Sequence, residues 1–470
     1  LWYTILAFVL LLVIGYVISK QEKSGISPGP PYWPIVGNML DMRGKLAGKR
    51  HKYYAELQEK YGDVFRIYFC DQLLIVLNDF ESIEEAFVKQ KDLFSTRPLE
   101  QLWMLKQVGK DGNGVIWANG QEWKTVRRMQ LRTLRDLGVG KSTIEDRIKD
   151  ETNFILDFLT KCEGKPIKVH ELMMKATINI ISMVVLSKRY DYSDPEYLQI
   201  LKVPEDGFSD MVFFTPLNRF PKLRFIPFIA SKMLEGRTAF MAVEQLIAKH
   251  IEKRRNDFDK NDIKDFMDVY FDMCANNETT TISDGNTRRI IIDLFFAGSD
   301  TTATTLDWAF LFMVLHPEVQ KKCQEEIDSV VGDGLPMSVP HTTDKDTVVK
   351  GYLIPEGTLV FANLYACHLD SRYWEEPLKF KPDRFLDGSG KVSKPPATFM
   401  PFSTGPRMCP GEPLARMELF LFFTNILQRF SLSISGSEKP STDGFCGMRM
   451  STPDYTIVAT PRYVGCQFEK

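Results

Sequence analysis

The sequence predicts a chain built mainly of α-helices with small pieces of sheet, and three observations carry that. One long, mostly apolar stretch runs from Thr287 to about Leu315 and stops at His316-Pro317, as a helix must. A second follows Gly411, with apolar residues at helical spacing: Leu414, Met417, Leu419, Phe420, Phe422 and Phe423. Strand patterns are short: Val64 to Phe69, Leu73 to Leu77, and a strand-turn-strand over 351–364 with Pro355-Glu356-Gly357 at its turn.

At 470 residues the chain could hold more than one domain, and its 12% aromatic content, with 33 Phe, suits a large apolar interior with room for an apolar ligand. The net charge of -2 gives no reason to expect nucleic acid as a partner, so an electrostatic partner must use a local patch. Eight scattered cysteines without CxxC read as thiols in a reducing compartment, and six histidines without HxxxH or HExxH exclude an all-histidine metal site.

In chain order, Leu1 to Ser19 is almost wholly apolar and is followed by Lys20 and Lys23. It reads as a retained transmembrane signal anchor (1–19), with the basic residues placing the remainder in the cytosol. Residues 20–38 form a basic, Pro/Gly-rich hinge that cannot be helical. Ser82-x-x-Glu85 reads as a capping box opening a helix. In the basic helical segment from Trp123 to Arg135, Trp123 and Arg127 share a face, while Lys124, Arg128, Arg132 and Arg135 form a second stripe. Phe213, Phe214, Phe220, Phe225, Phe228 and Ile229, interleaved with prolines, make an apolar, helix-poor stretch, read as a surface dipping into lipid beside a substrate entrance. Inside the long helix, Ala297-Gly298-Ser299-Asp300-Thr301-Thr302 places small and hydroxyl residues where they open a groove, with Gly298 letting a flat ligand approach the backbone.

Phe402-Ser403-Thr404-Gly405-Pro406-Arg407-Met408-Cys409-Pro410-Gly411 presents one sulfur from a Gly/Pro loop, just before a helix N-terminus that favours a thiolate. Phe-x-x-Gly-x-Arg-x-Cys-x-Gly resembles the haem-binding signature of the cytochrome P-450 family at all five fixed positions. The resemblance extends from the hinge to the C-terminus and is closest to animal microsomal members of family 2. It implies one large, mainly α haem domain with small β-sheets (39–470), the haem b lying between the long helix and the Cys409 loop. It also implies that Cys409 is the axial thiolate and metal ligand and that Phe402 packs beside it. Trp123, Arg127, His368 and Arg407 would hold the propionates, Ala297 would line the distal face, and Asp300 and Thr301 would supply protons during oxygen activation. The extended chain from Ser451 to Arg462 would line part of the substrate pocket.

The implied reaction is insertion of one oxygen atom into an apolar xenobiotic, lipid or steroid-like substrate at the cytosolic face of the endoplasmic reticulum membrane. Electrons would come from NADPH through a flavoprotein reductase docking on the basic stripe, with a small cytochrome b as a further partner. Some haem-thiolate relatives instead rearrange or dehydrate peroxides without a reductase, but they dispense with the acid-alcohol pair kept here at Asp300-Thr301.

One family element is missing. Arg384, in Phe380-Lys381-Pro382-Asp383-Arg384-Phe385, would normally meet a Glu-x-x-Arg helix, yet the chain passes from Val331-Gly332-Asp333-Gly334 directly to Leu335-Pro336-Met337. A helix and its flanking loop are absent at Gly334-Leu335, through splicing, a gene-model error or a true difference of the chain. An unpaired, buried Arg384 would cost about 3–5 kcal/mol, so a haem-poor, inactive variant is the alternative reading.

Overall fold

The computed structural model of the chain describes residues 25–43, 48–103, 114–139, 142–207, 216–276, 283–326, 338–446 and 449–462, with Lys106 and scattered positions among residues 2–15. Most of the N-terminal apolar run, Phe213 and Phe214, and the Gly334-Leu335 junction lie outside the described residues. The described helices of ten or more residues are α1 (Arg50–Tyr61), α2 (Gly120–Asp136), α3 (Ser142–Lys161), α4 (Val169–Leu186), α5 (Pro195–Gly207), α6 (Pro227–Asn256), α7 (Phe266–Ala275), α8 (Asp284–Leu315), α9 (Pro317–Glu326) and α10 (Glu412–Arg429). The strands are β1 (Val64–Phe69), β2 (Gln72–Leu77), β3 (His341–Thr342), β4 (Thr347–Val349), β5 (Tyr352–Ile354), β6 (Leu359–Ala362), β7 (Phe430–Ile434), β8 (Phe445–Cys446), β9 (Met450–Ser451) and β10 (Ile457–Pro461).

The main sheet has the order β1-β2-β6-β3, with β2 and β6 parallel and the outer pairs antiparallel. The strand-turn-strand expected over 351–364 is therefore not a hairpin. β5 pairs with β4 and β6 joins the main sheet, because Gly357 (φ +72°) turns the chain from one sheet into the other. The hinge is likewise no free linker: Pro28 O accepts from Arg66 N at 2.8 Å and Tyr32 stacks on Tyr68 at 4.0 Å, docking it along β1. Asp79, and not Ser82, caps the helix Phe80–Glu84, its carboxylate accepting from Ser82 N.

α8 is the axis of the helical part. Ser283 caps it, its side chain accepting from Asn286 N, and Pro317 at the start of α9 fixes its end. It packs chiefly on α4, whose apolar residues are buried around most of its circumference. Among the described residues α4 is the one helix long and apolar enough to cross a membrane, yet 78% of that stretch is buried, as befits a core helix.

Candidate functional site

The Cys409 loop is wound by its own backbone: Cys409 N donates to Phe402 O (3.0 Å), Met408 N to Gly405 O (3.1 Å) and Ser403 N to Met400 O (2.9 Å). Gly405 sits at φ +78°, where an added Cβ would lie 2.2 Å from Phe87 O, so no larger residue fits. The loop ends at α10, and Cys409 is exposed as a residue. Protein packed around the thiol pushes its pKa up, opposed by the Gly411 amide, Arg127 and the Glu412 amide. The amides at the helix start act in the direction read from the sequence, towards a thiolate, but burial outweighs them here. The Phe402 ring lies under the Arg416 guanidinium (5.2 Å).

Beside this loop the fold gathers cations. Arg407 lies over the Trp123 ring (3.9 Å) and donates to Ser95 O (2.8 Å) and Ala118 O (2.7 Å), while its Nη1 has no hydrogen-bond partner. Arg127 donates to Met408 O. Arg97 and His341, which sequence reasoning missed, complete the cluster. Arg97 is 6% exposed and donates to Ile116 O, Val339 O and Pro340 O. His341 is buried, donates from Nδ1 to Phe94 O (2.7 Å) and stacks on Phe87 (4.0 Å). Arg97 stands in an unpatterned loop, and His341 follows the junction. The one available signal was its Pro340-His341 pairing at the head of a strand.

These groups repel one another. Burial, with Arg97 and Arg127 nearby, pushes Arg407 down to about 8; burial and Arg127 lower Arg97 to about 9; burial also lowers Arg127. Burial, with Arg97 beside it, holds His341 well below its usual range and so neutral. Among the described residues no carboxylate ion-pairs with any of the three arginines. Cations drawn partly out of water without counter-charge are costly, and with Arg97 buried and Arg127 and Arg407 half-buried the cluster is suited to receive an anionic group. The two propionates of a haem would fit that donor set, with Cys409 offering the group a sulfur ligand.

Asp293 of α8 positions the cluster. Its Oδ2 accepts from Val115 N (2.8 Å) and Ile116 N (3.0 Å), its Oδ1 pairs with Arg289 (3.3 Å), and Asn286 Oδ1 accepts from Gly114 N (2.8 Å). The clamped loop then supplies Ile116 O to Arg97 and Ala118 O to Arg407, and Asn119 bonds both arginines.

His368 is not part of this set. Its Nε2 accepts from Met400 N (3.0 Å) and its ring packs by Phe399, within the cluster of Trp374, Phe385 and Phe399. The imidazole that joins the arginines is that of His341.

On α8, Ala297 is exposed and Thr301, one turn on, is half-buried, donating to Ala297 O (2.8 Å). Ser299 and Thr305 also bond the carbonyl four residues back, as hydroxyls in a weakened helix do. Gly298, read as room for a flat ligand, serves packing instead: a Cβ there would lie 2.4 Å from Ile181 of α4. Asp300 is 1% exposed and meets Arg449 Nη1 at 2.7 Å. Arg384, expected to be unpaired and buried, is half-buried and donates to four backbone carbonyls, those of Glu375, Glu376, Lys379 and Lys381. The local turn thus provides backbone acceptors for the guanidinium donors, where a Glu-x-x-Arg helix would have provided a carboxylate.

The family model for Cytochrome P450 matches residues 27–335 and 333–458, in two pieces that meet at the junction. The chain is 35% identical over 496 positions to "Cytochrome P450 2D3" of Rattus norvegicus, covering 98% of each. It is 34% identical to "Cytochrome P450 2D9" of Mus musculus, covering 98% of this chain and 97% of that one. "Cytochrome P450 2D16" of Cavia porcellus is 36% identical, with 97% of each covered. With a partly buried cation cluster beside an exposed cysteine at a helix start, and matches running almost end to end, the chain belongs to the cytochrome P450 family, as a family 2-like animal monooxygenase.

Proposed function

We propose that the chain is a haem-thiolate monooxygenase acting on an apolar small molecule of xenobiotic, lipid or steroid-like character, with electrons from NADPH passed on by a flavoprotein reductase. The observation that carries the reading is a set of three guanidinium groups beside Cys409, Arg97 buried and Arg127 and Arg407 half-buried, with no carboxylate ion-paired to them among the described residues. Bound there, haem b supplies oxygen activation, a thiolate ligand pushing electron density to favour O–O cleavage. Arg97, Trp123, Arg127, His341 and Arg407 would hold its propionates. Ala297 keeps the facing side of α8 low, and Thr301 presents a hydroxyl on that side, with Asp300 next to it as the acid of the proton path.

Lys124, Arg128, Arg132 and Arg135 are all exposed on one side of α2, which supports the stripe as a docking face for an acidic reductase; a small cytochrome b would use the same charges. Phe220, Phe225 and Ile226 are exposed, Phe225 at 72%, between two short 3-10 turns and α6. Together with the apolar run 1–19 they suit a catalytic domain held against the cytosolic face of the endoplasmic reticulum membrane, its substrate entering from lipid.

One observation favours a second reading, the haem-poor deletion variant. The family match splits at 333–335, and the alignment to the rat relative spans 496 positions against a chain of 470 residues, so at least 26 of them face gaps in this chain. The internal satisfaction of Arg384 argues for the active reading. The carbon monoxide difference spectrum of the reduced full chain, with Cys409→Ser as control, separates the two. A strongly red-shifted Soret band lost in the control is expected; no band, with one appearing once the missing helix is restored, refutes activity of this chain. Turnover on a lipid hydroperoxide without NADPH and reductase would refute the monooxygenase reading in favour of a peroxide rearrangement.

A further inference from the structure

Away from the cation cluster, one face of α8 carries a second polar group, of which the reaction as described uses only Asp300. Asp300, Thr304 and Asp307 follow at helical spacing and are all buried, at 1%, 0% and 1% exposure. Two other elements close on them. From the first turn of α4, His170 lies 3.9 Å from Asp300 Oδ1 through Nε2 and 3.8 Å from Asp307 Oδ2 through Nδ1. From the strand-to-strand turn between β8 and β9, Arg449 reaches in. Its Nη1 is 2.7 Å from Asp300 Oδ1, 2.8 Å from Thr304 Oγ1 and 3.3 Å from His170 Nε2.

The chain after β9 is fastened to the same face. Thr452 donates to Asp307, Tyr455 donates to Asp307 Oδ1 (2.8 Å), and the Trp308 indole donates to Met450 O (2.6 Å). The titratable groups facing Asp300 are thus His170, Arg449 and, one step away, Asp307 with Tyr455. His170 is neutral near pH 7, burial and Arg449 having lowered it to about 4. Arg449 is therefore the cation that meets Asp300.

Neighbouring residues on a helix point about 100° apart. Asp300 points to Arg449, and Thr301 lies on the open face with its hydroxyl donated to Ala297 O. We infer that Arg449 is a positioning residue: it holds Asp300 ionised and turned away from Thr301, and it ties the C-terminal segment 449–455 to the central helix. Any proton passed from Asp300 towards Thr301 then requires the carboxyl to leave Arg449, so movement of the C-terminal segment gates the path. This rests on the reading of Asp300 and Thr301 as acid and alcohol.

The test compares the full chain with Arg449→Gln, Arg449→Lys and Asp300→Asn. Infrared difference spectroscopy at pH 7 is expected to show a protonated carboxyl band in Arg449→Gln that is absent from the parent and from Arg449→Lys, and that disappears when Asp300→Asn is added. Amide hydrogen exchange over residues 449–455 should quicken about tenfold in Arg449→Gln and in Asp300→Asn. An unchanged infrared spectrum in a folded Arg449→Gln overturns the inference. If that variant does not fold, unchanged exchange in Asp300→Asn overturns it equally. The carbon monoxide spectrum of each protein reports haem ligation separately, so failure of the haem reading and failure of this tie are distinguishable.

Discussion

Replacing Asp293 with Ala should dismantle the cation cluster from a distance. The carboxylate takes two buried amides and the Arg289 guanidinium, and it is 2% exposed. Hydrogen bonds to a charged group contribute about 1.5–3 kcal/mol each, so losing two costs about 3–6 kcal/mol, with the lost Arg289 contact adding to it. Unfolding entropy of about 2.1 cal/mol/K per residue gives about 1 kcal/mol/K for 470 residues. The melting temperature should therefore fall by about 3–6 °C. The more specific consequence is chemical: residues 114–119 present Ile116 O, Ala118 O and Asn119 to Arg97 and Arg407. Once that loop is released, both arginines lose their anchors and haem retention should drop together with stability. Asp293→Asn, which keeps one acceptor oxygen, should show about half the effect on the same bonds. Calorimetry and the Soret-to-protein absorbance ratio read the two quantities. An Asp293→Ala protein melting within 1 °C of the parent, with the same haem content, would refute the clamp.

Three further outcomes are expected. In the polar group on α8, His170 is lowered to about 4 by burial and Arg449, and Asp307 is raised to about 6 by burial. A lowered histidine gives stability that is full above its unfolded value of 6.5 and lost as pH falls towards 4. A raised aspartate costs stability above pH 6, and that cost is relieved as pH falls from 6 towards 3.8. The two terms, each about 3 kcal/mol, nearly offset, so His170→Gln should gain up to about 3 kcal/mol on the parent between pH 7 and pH 4; denaturant titrations giving a pH-independent difference would contradict this. Gly405→Ala, strained at φ +78° and colliding with Phe87 O, should abolish the thiolate spectrum while far-ultraviolet circular dichroism keeps its helical signal. Charge reversal at Arg128 and Arg132 should raise the reductase concentration needed for half-maximal turnover several-fold at low salt and converge with the parent at high salt; equal dependence at both salts would rule the stripe out.

The parts legible in the sequence were those whose chemistry is local. The Cys409 loop could be read because five spaced positions and a following apolar period fix both turn and helix. The bounds of β1 and the end of α8 followed from period and from Pro317, while the start of α8 lies three residues before the Thr287 read from the sequence, behind the Ser283 cap. What escaped was pairing over distance. Nothing near Gly351 tells β5 and β6 to enter different sheets, and nothing near Gly298 shows Ile181 across from it. His368 and His341 are both single histidines in apolar surroundings. Which of them meets the arginines depends on β3 lying against β6, which no local pattern reveals. Arg384 was judged by its missing distant partner, when four carbonyls of its own turn stood within ten residues.

The parallel pairing of β2 with β6 also sets a timetable. Leu74 lies opposite Leu359, a separation of 285 residues. At about 5–20 residues per second, a ribosome needs roughly 15–60 s to supply the second strand after the first. Throughout that interval the β1-β2 ribbon carries an open edge, a template for pairing with other chains. The junction at Gly334-Leu335 falls just ahead of β6, so a shorter path there brings the closing strand out of the ribosome sooner. Nascent-chain aggregation, more than the energy of the finished fold, is then the stage at which the length of that segment is felt.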